Sequence, residues 1–200
     1  MTSWEDVALA RASGATHIGM IFAASPRRIE IDRAKEIARK LDGTLVPVAV
    51  FVDPERIEVD GILNMFPTAL LQFAGEEPAA FLADYGERAI KVIHIEPGED
   101  LQSVRERCNR YERATVMFDT GATGLAGGSG MAFAWSLVEP IARERRVWVA
   151  GGLRSENVAQ CIQVVRPFGV DVRSGIETNG RKDPQKMRAY IAAVRDSDAT

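Results

Sequence analysis

Short apolar runs alternate along this chain with stretches whose apolar residues recur every three or four positions. The runs predict strands over residues 16–22 (THIGMIF), 44–52, 69–75, 88–95, 114–120 (ATVMFDT), 146–152 (RVWVAGG) and 169–175 (GVDVRSG). The helical spacing predicts helices over 31–41, 54–66, 77–86, 99–111, 131–144, 155–165 and 183–196. Gly61 weakens the second of these, Gly86 ends the third at its C′ position, and Pro140 kinks or splits the fifth. Ser155 is the expected N-cap of the sixth, and Pro184 sits in the first turn of the last. A further helix is predicted over 3–14, with Ser3 as N-cap and Asp6 at the capping-box position.

Near-continuous apolar strands alternating with amphipathic helices imply parallel βαβ units covered on both faces. The chain thus starts on a helix and holds eight helices to seven strands. A (β/α)8 TIM barrel with its first β-strand missing gives that count. A doubly wound open sheet gives it too, and the strand ends argue for the barrel. The expectation is one α/β domain over 1–200.

Composition narrows the function classes. Hydrophobic residues are 46% and charged residues 26% of 200, ordinary for a soluble domain. A net charge of −3 offers no nucleic-acid footprint, so an anionic ligand must be held locally by backbone N–H groups or a single arginine. The apolar runs are too short to span a bilayer, and the start MTSWEDVALA is unlike a signal peptide. Cys108 and Cys161 fall on predicted helices without metal spacing, so free thiols in a reducing cytoplasm are expected, with no cysteine metal site.

Chemistry in such a barrel belongs at the C-terminal ends of the strands. Arg27, just beyond the first predicted strand, carries a fork suited to a carboxylate, or is a solvated loop arginine. Asp119 closes an apolar strand, where desolvation suits a general acid; an Asx-turn residue is the other reading. The loop 121–130 that follows is half glycine and fits a cover over a ligand. Gly151 and Gly152 end one late strand, and Ser174 and Gly175 the next. Two such turns in succession make a phosphate cradle, or are two ordinary βα turns. His17 and His94 lie within strands and receive no role.

The segments GATHIGMIFAASPRR, DTGATGLAGGSG, VAGGLRSENV and GVDVRSGIETNGRKD, in this order, resemble the phosphoribosylanthranilate isomerase family over nearly the whole chain. The resemblance implies an Amadori rearrangement of an aminoaldose phosphate to an aminoketose phosphate in tryptophan biosynthesis, without cofactor or metal. It implies Asp119 as general acid, Arg27 on the anthranilate carboxylate, Gly151, Gly152, Ser174 and Gly175 on the phosphate, and Gly127, Gly128, Ser129 and Gly130 shaping the covering loop. The implied partner is a small phosphosugar, the implied state a monomer or homodimer, with no nucleic acid and no membrane.

Several positions depart from the family pattern. The family's base, a cysteine in an opening Lys-Ile-Cys-Gly strand, has no match here, and neither helical cysteine can replace it. Ala74 stands where the family has a histidine, Phe133-Ala134-Trp135 where it has Phe-Asp-Trp, and Arg173 where a small residue is common. The preferred expectation is that Met1 is an internal methionine and that the natural protein carries the missing strand. The alternative is a short chain that closes over seven strands, recruits a segment or oligomerises, and is a poor isomerase. A non-catalytic phosphosugar-binding barrel is the competing function, which the retained Asp119 and Arg27 oppose. Other phosphate barrels fit less well: a histidine-pathway isomerase would show a half-repeat, and an indole-glycerol-phosphate synthase more strand lysines than Lys91.

Overall fold

Helix α1 (Trp4–Ser13) opens the chain because Ser3 is extended and its hydroxyl accepts the Asp6 amide at 3.2 Å, satisfying one orphan donor of the first turn. Gly14, at φ 91°, ends the helix in the left-handed region that favours glycine. Strands and helices then alternate: β1 (His17–Ile21), α2 (Ile31–Lys40), β2 (Val46–Phe51), α3 (Arg56–Met65), β3 (Leu70–Phe73), α4 (Ala79–Ala83) and β4 (Ala89–His94). After them come α5 (Leu101–Asn109), β5 (Thr115–Asp119), α6 (Gly128–Ala142), β6 (Val147–Ala150), α7 (Val158–Val165) and β7 (Gly169–Val170). A hairpin of β8 (Glu177–Thr178) and β9 (Arg181–Lys182) precedes α8 (Pro184–Asp198). This computed structural model describes residues 1–96, 98–119 and 128–198, with backbone alone at 128–134 and 198.

Strands β1 to β7 lie side by side in chain order, as expected of consecutive βα units. The pairs β1–β2, β2–β3, β3–β4, β5–β6 and β6–β7 are parallel. The chain groups into two compact units, Met1–Lys91 and Val92–Thr200, with the boundary inside β4.

In the first unit, aromatic rings link the strand ends to the helix layer. Phe22 stacks on Phe51 at 5.8 Å, Phe51 on Phe73 at 5.9 Å, and Phe73 meets Phe81 and Tyr85 at 5.8 Å each. Phe51 and Phe73 are register partners, so neighbouring strands bring the rings together. Helices α1 and α2 pack on each other in the same unit. In the second unit α5 packs on α6, α6 on α7 and α7 on α8. Their buried faces include Val104, Cys108, Val138, Ile141, Val158, Cys161, Met187 and Tyr190.

Four expectations need correction. Helix α4 stops at Ala83, and Gly86 begins a 3-10 turn (Gly86–Arg88) instead of closing the helix. Helix α6 is not split at Pro140, and it begins at Gly128, inside the stretch expected to be loop. Helix α7 begins at Val158, so Asn157 and not Ser155 holds the N-cap position, with no side-chain cap hydrogen bond. Strand β7 pairs over only Gly169–Val170, because the chain tightens into a 3-10 turn at Ser174–Ile176. The β8–β9 hairpin was not foreseen, although Asn179 (φ 52°) and Gly180 (φ 75°) are the Asn-Gly pair that such a two-residue turn favours.

Candidate active site

The second unit carries most of the predicted site. Asp119 ends β5 and pairs in register with Ala150, the last residue of β6. On the far side of β6, Val149 pairs with Val170, and the Asp171 amide donates to the Val149 carbonyl at 2.9 Å. The next level of that ladder sets Asp171 beside Ala150. On the near side, the Ile95 amide donates to the Asp119 carbonyl at 3.1 Å, the same pattern, which sets His94 level with Asp119. His94, Asp119, Ala150 and Asp171 therefore form one row across β4, β5, β6 and the end of β7. Side chains level with one another on neighbouring parallel strands share a face, and the first two meet: His94 Nδ1 lies 3.6 Å from Asp119 Oδ2.

The row is polar and open. The His94 side chain is 45% exposed and that of Asp119 32%. Buried Ala150 is the small residue between the two carboxyls. Asp171 exposes surface to solvent yet is closely surrounded by protein. Desolvation pushes its carboxyl above the ordinary carboxylate range, Lys182 opposes that, and Asp119 adds to it.

The two glycine-serine turns are in contact. Gly151 (φ 88°) and Gly152 (φ 64°) turn the chain off β6 through the left-handed region. Gly175 lies against the next residues of that turn: a Cβ added there would sit 2.0 Å from the Leu153 carbonyl oxygen. Only glycine allows so close an approach. Asn157 braces the first turn, donating from Nδ2 to the Gly152 carbonyl at 3.1 Å and accepting the Arg154 amide on Oδ1 at 2.8 Å. Lys182 Nζ braces the second, reaching the Arg173 carbonyl at 3.3 Å and Glu177 Oε1 at 3.0 Å. Ser174 and Arg173 are exposed at the rim.

In the first unit, Arg27 is exposed in the turn after β1, its amide bonded to Ser25 Oγ at 3.1 Å. Ala74 follows β3, and its amide donates to the Phe51 carbonyl at 2.9 Å. Beside it is a closed ionic cluster. Buried Lys91 (5% exposed) donates to Glu77 Oε2 at 2.7 Å and to the Gly75 carbonyl. Buried Glu77 (3% exposed) accepts the Asp53 and Gly75 amides on Oε1, each at 3.0 Å. Lys91 is thus engaged as a structural cation.

Gly127 lies outside the described residues, and Gly128, Ser129 and Gly130 open α6. Cys108 and Cys161 are buried free thiols on α5 and α7, pushed by desolvation up to about 11 and about 12, so neither is a thiolate at neutral pH. Among the described residues no group of His, Cys, Asp or Glu could hold a metal ion, and no helix is long and apolar enough to cross a membrane. The row also changes one expectation: His94, given no role from the sequence, stands next to the predicted acid.

A family described as N-(5'phosphoribosyl)anthranilate (PRA) isomerase matches residues 1–193. An N-(5'-phosphoribosyl)anthranilate isomerase of Pseudomonas fluorescens (strain Pf-5) is 40% identical over 201 residues, covering 99% of this chain and 94% of the relative. The solved phosphoribosyl anthranilate isomerase from Thermotoga maritima superposes with a TM-score of 0.85 at 31% identity, covering 98% of this chain and 96% of its own. A solved complex of such an isomerase with reduced 1-(o-carboxyphenylamino)-1-deoxyribulose 5-phosphate gives 0.82 at 29% identity, covering 98% and 95%. The fold is of the α/β, TIM-barrel type of these isomerases.

Proposed function

The chain belongs to the N-(5'-phosphoribosyl)anthranilate isomerase family, and we propose that Asp119 is the general acid of its reaction. The chain is an isomerase of tryptophan biosynthesis. It converts N-(5'-phosphoribosyl)anthranilate to 1-(o-carboxyphenylamino)-1-deoxyribulose 5-phosphate by an Amadori rearrangement.

The first chemical step is opening of the ribose ring. The C1′–O4′ bond breaks, its electron pair stays on the ring oxygen, and that oxygen takes a proton from Asp119. The anilino nitrogen's lone pair completes a C=N bond at C1′. One observation carries the assignment: a carboxyl ends β5, open at 32% exposure, in the same unit as two touching turns suited to a phosphate. Gly151, Gly152, Ser174 and Gly175 hold the phosphate through backbone N–H groups and the serine hydroxyl. Arg27 takes the anthranilate carboxylate, and Gly127 to Gly130 shape the cover. Proton removal from C2′ belongs to a second group. Both cysteines of these 200 residues are buried on helices, and neither takes that role.

The reading extends to a cytoplasmic enzyme, monomeric or homodimeric. A solved relative from Thermotoga maritima is described as monomers generated from a dimeric isomerase.

Asp119→Asn tests the acid. Loss of a general acid typically costs about 10²–10⁴-fold in kcat. The expected result is a loss of that size with affinity for the reduced product analogue intact. Full turnover in the variant would remove Asp119 from the mechanism.

A further inference from the structure

We propose that His94 is a positioning residue for Asp119, its imidazole fixing the carboxyl that protonates the ring oxygen. The proposal rests on the assignment of Asp119 as the acid. His94 Nδ1 and Asp119 Oδ2 are 3.6 Å apart, just beyond a hydrogen bond. Catalytic hydrogen bonds are often long before substrate arrives and tighten in the loaded enzyme.

The backbone on both sides is built to hold this approach. The Ile95 amide ties β4 to the Asp119 carbonyl at 3.1 Å, so the two strand ends keep a fixed spacing. The His94 carbonyl accepts Arg107 Nη2 at 2.7 Å, and Arg107 Nη1 is paired with Glu99 Oε1 at 2.5 Å. The strand end bearing His94 is thus anchored to α5 by a charged hydrogen bond from Arg107, which Glu99 holds in place. The charged and titratable groups around the pair are Arg107 and Glu99 on the α5 side and Asp171 across Ala150.

The role follows from the ring-opening step. Before transfer the Asp119 carboxyl is neutral; afterwards it is a carboxylate. An imidazole with hydrogen on Nδ1 donates to Oδ2 in both states, and the bond strengthens as the charge develops. That gain belongs to the transition state more than to the bound substrate, so it acts on kcat and leaves KM nearly unchanged.

The test is steady-state turnover of phosphoribosylanthranilate by His94→Ala, His94→Asn and His94→Ala/Asp119→Asn, beside wild type and Asp119→Asn. Loss of a hydrogen bond to a charged group corresponds to roughly 10–10²-fold in rate. His94→Ala is expected to lose that much kcat at nearly constant KM. His94→Asn, whose amide N–H can take the place of Nδ1–H, should recover most of it. In the Asp119→Asn background, removing His94 should cost nothing further, since it acts through the acid. Wild-type kcat in His94→Ala, failure of His94→Asn to rescue, or an undiminished further loss in the double variant would each overturn the proposal. Failure of the Asp119 assignment is a separate result, read from Asp119→Asn alone.

Discussion

Two clusters of ionisable side chains stand near strand ends among the described residues, one in each unit, and they are built in opposite ways. In the first unit, Lys91 and Glu77 are buried, paired at 2.7 Å, and saturated by backbone groups of Asp53 and Gly75. In the second, His94 and Asp119 are partly exposed and 3.6 Å apart, with Asp171 across Ala150. A saturated cluster has nothing left to offer a ligand; it fixes the loop around it. An open row can exchange protons and bonds with a substrate. Charge alone does not mark a site, and reachable charge at a strand end is the better guide.

The sharpest way to break the contrast is to open the closed cluster. Lys91→Met leaves Glu77 buried without its cation. Breaking a buried pair in this way typically costs about 3–5 kcal/mol, seen as a lower urea midpoint. Lys91→Met/Glu77→Gln should regain most of it, because the glutamine oxygen still accepts the Asp53 and Gly75 amides. If Lys91→Met unfolds like wild type, the cluster is not the brace described.

A smaller effect is expected at the contact between the two turns. In Gly175→Ala the new methyl would sit 2.0 Å from the Leu153 carbonyl oxygen, so the turns must separate. Misplacing a binding group by about an ångström can cost roughly 10²-fold, and a fall of that order in kcat/KM is expected. Unchanged kinetics would mean that the turns do not share one ligand.

The smallest effect is expected at Asp171, at the far end of the open row. Its folded-state carboxyl is raised above 3.8, chiefly by desolvation, so folding disfavours its ionised form. Between the unfolded and folded values the native state binds more protons, and stability falls as pH rises. Asp171→Asn should therefore be more stable than wild type at pH 7, with the gain vanishing once pH drops below about 4, the unfolded carboxylate range. Urea midpoints at the two pH values check the sign. A variant less stable than wild type at pH 7 would show that the carboxylate is well paired.

The βα alternation was legible because near-continuous apolar strands and amphipathic helices differ in period. Asp119 and the two glycine-serine turns stood out because each ends an apolar run. His94 did not stand out, since the sequence places it in a strand but cannot say which residue of β5 it stands beside; that depends on register between strands. Asp171 was hidden the same way, in a run that alternates like a longer strand while only Gly169–Val170 pairs. Ser155 was expected to open α7, but the preference for serine at a cap says nothing of where the helix starts; residues 155–157 form a turn, and Asn157 reaches back to Gly152. The Asn179-Gly180 turn carried a usable signal that was passed over.

The most direct test sets the two clusters side by side in one assay, following the loss of phosphoribosylanthranilate fluorescence in wild type, Asp119→Asn and Lys91→Met/Glu77→Gln. The expected result is that Asp119→Asn, still folded, loses about 10²–10⁴-fold in kcat, while the cluster variant turns over within a few-fold of wild type. Full activity in Asp119→Asn, or its loss only in the cluster variant, would contradict it.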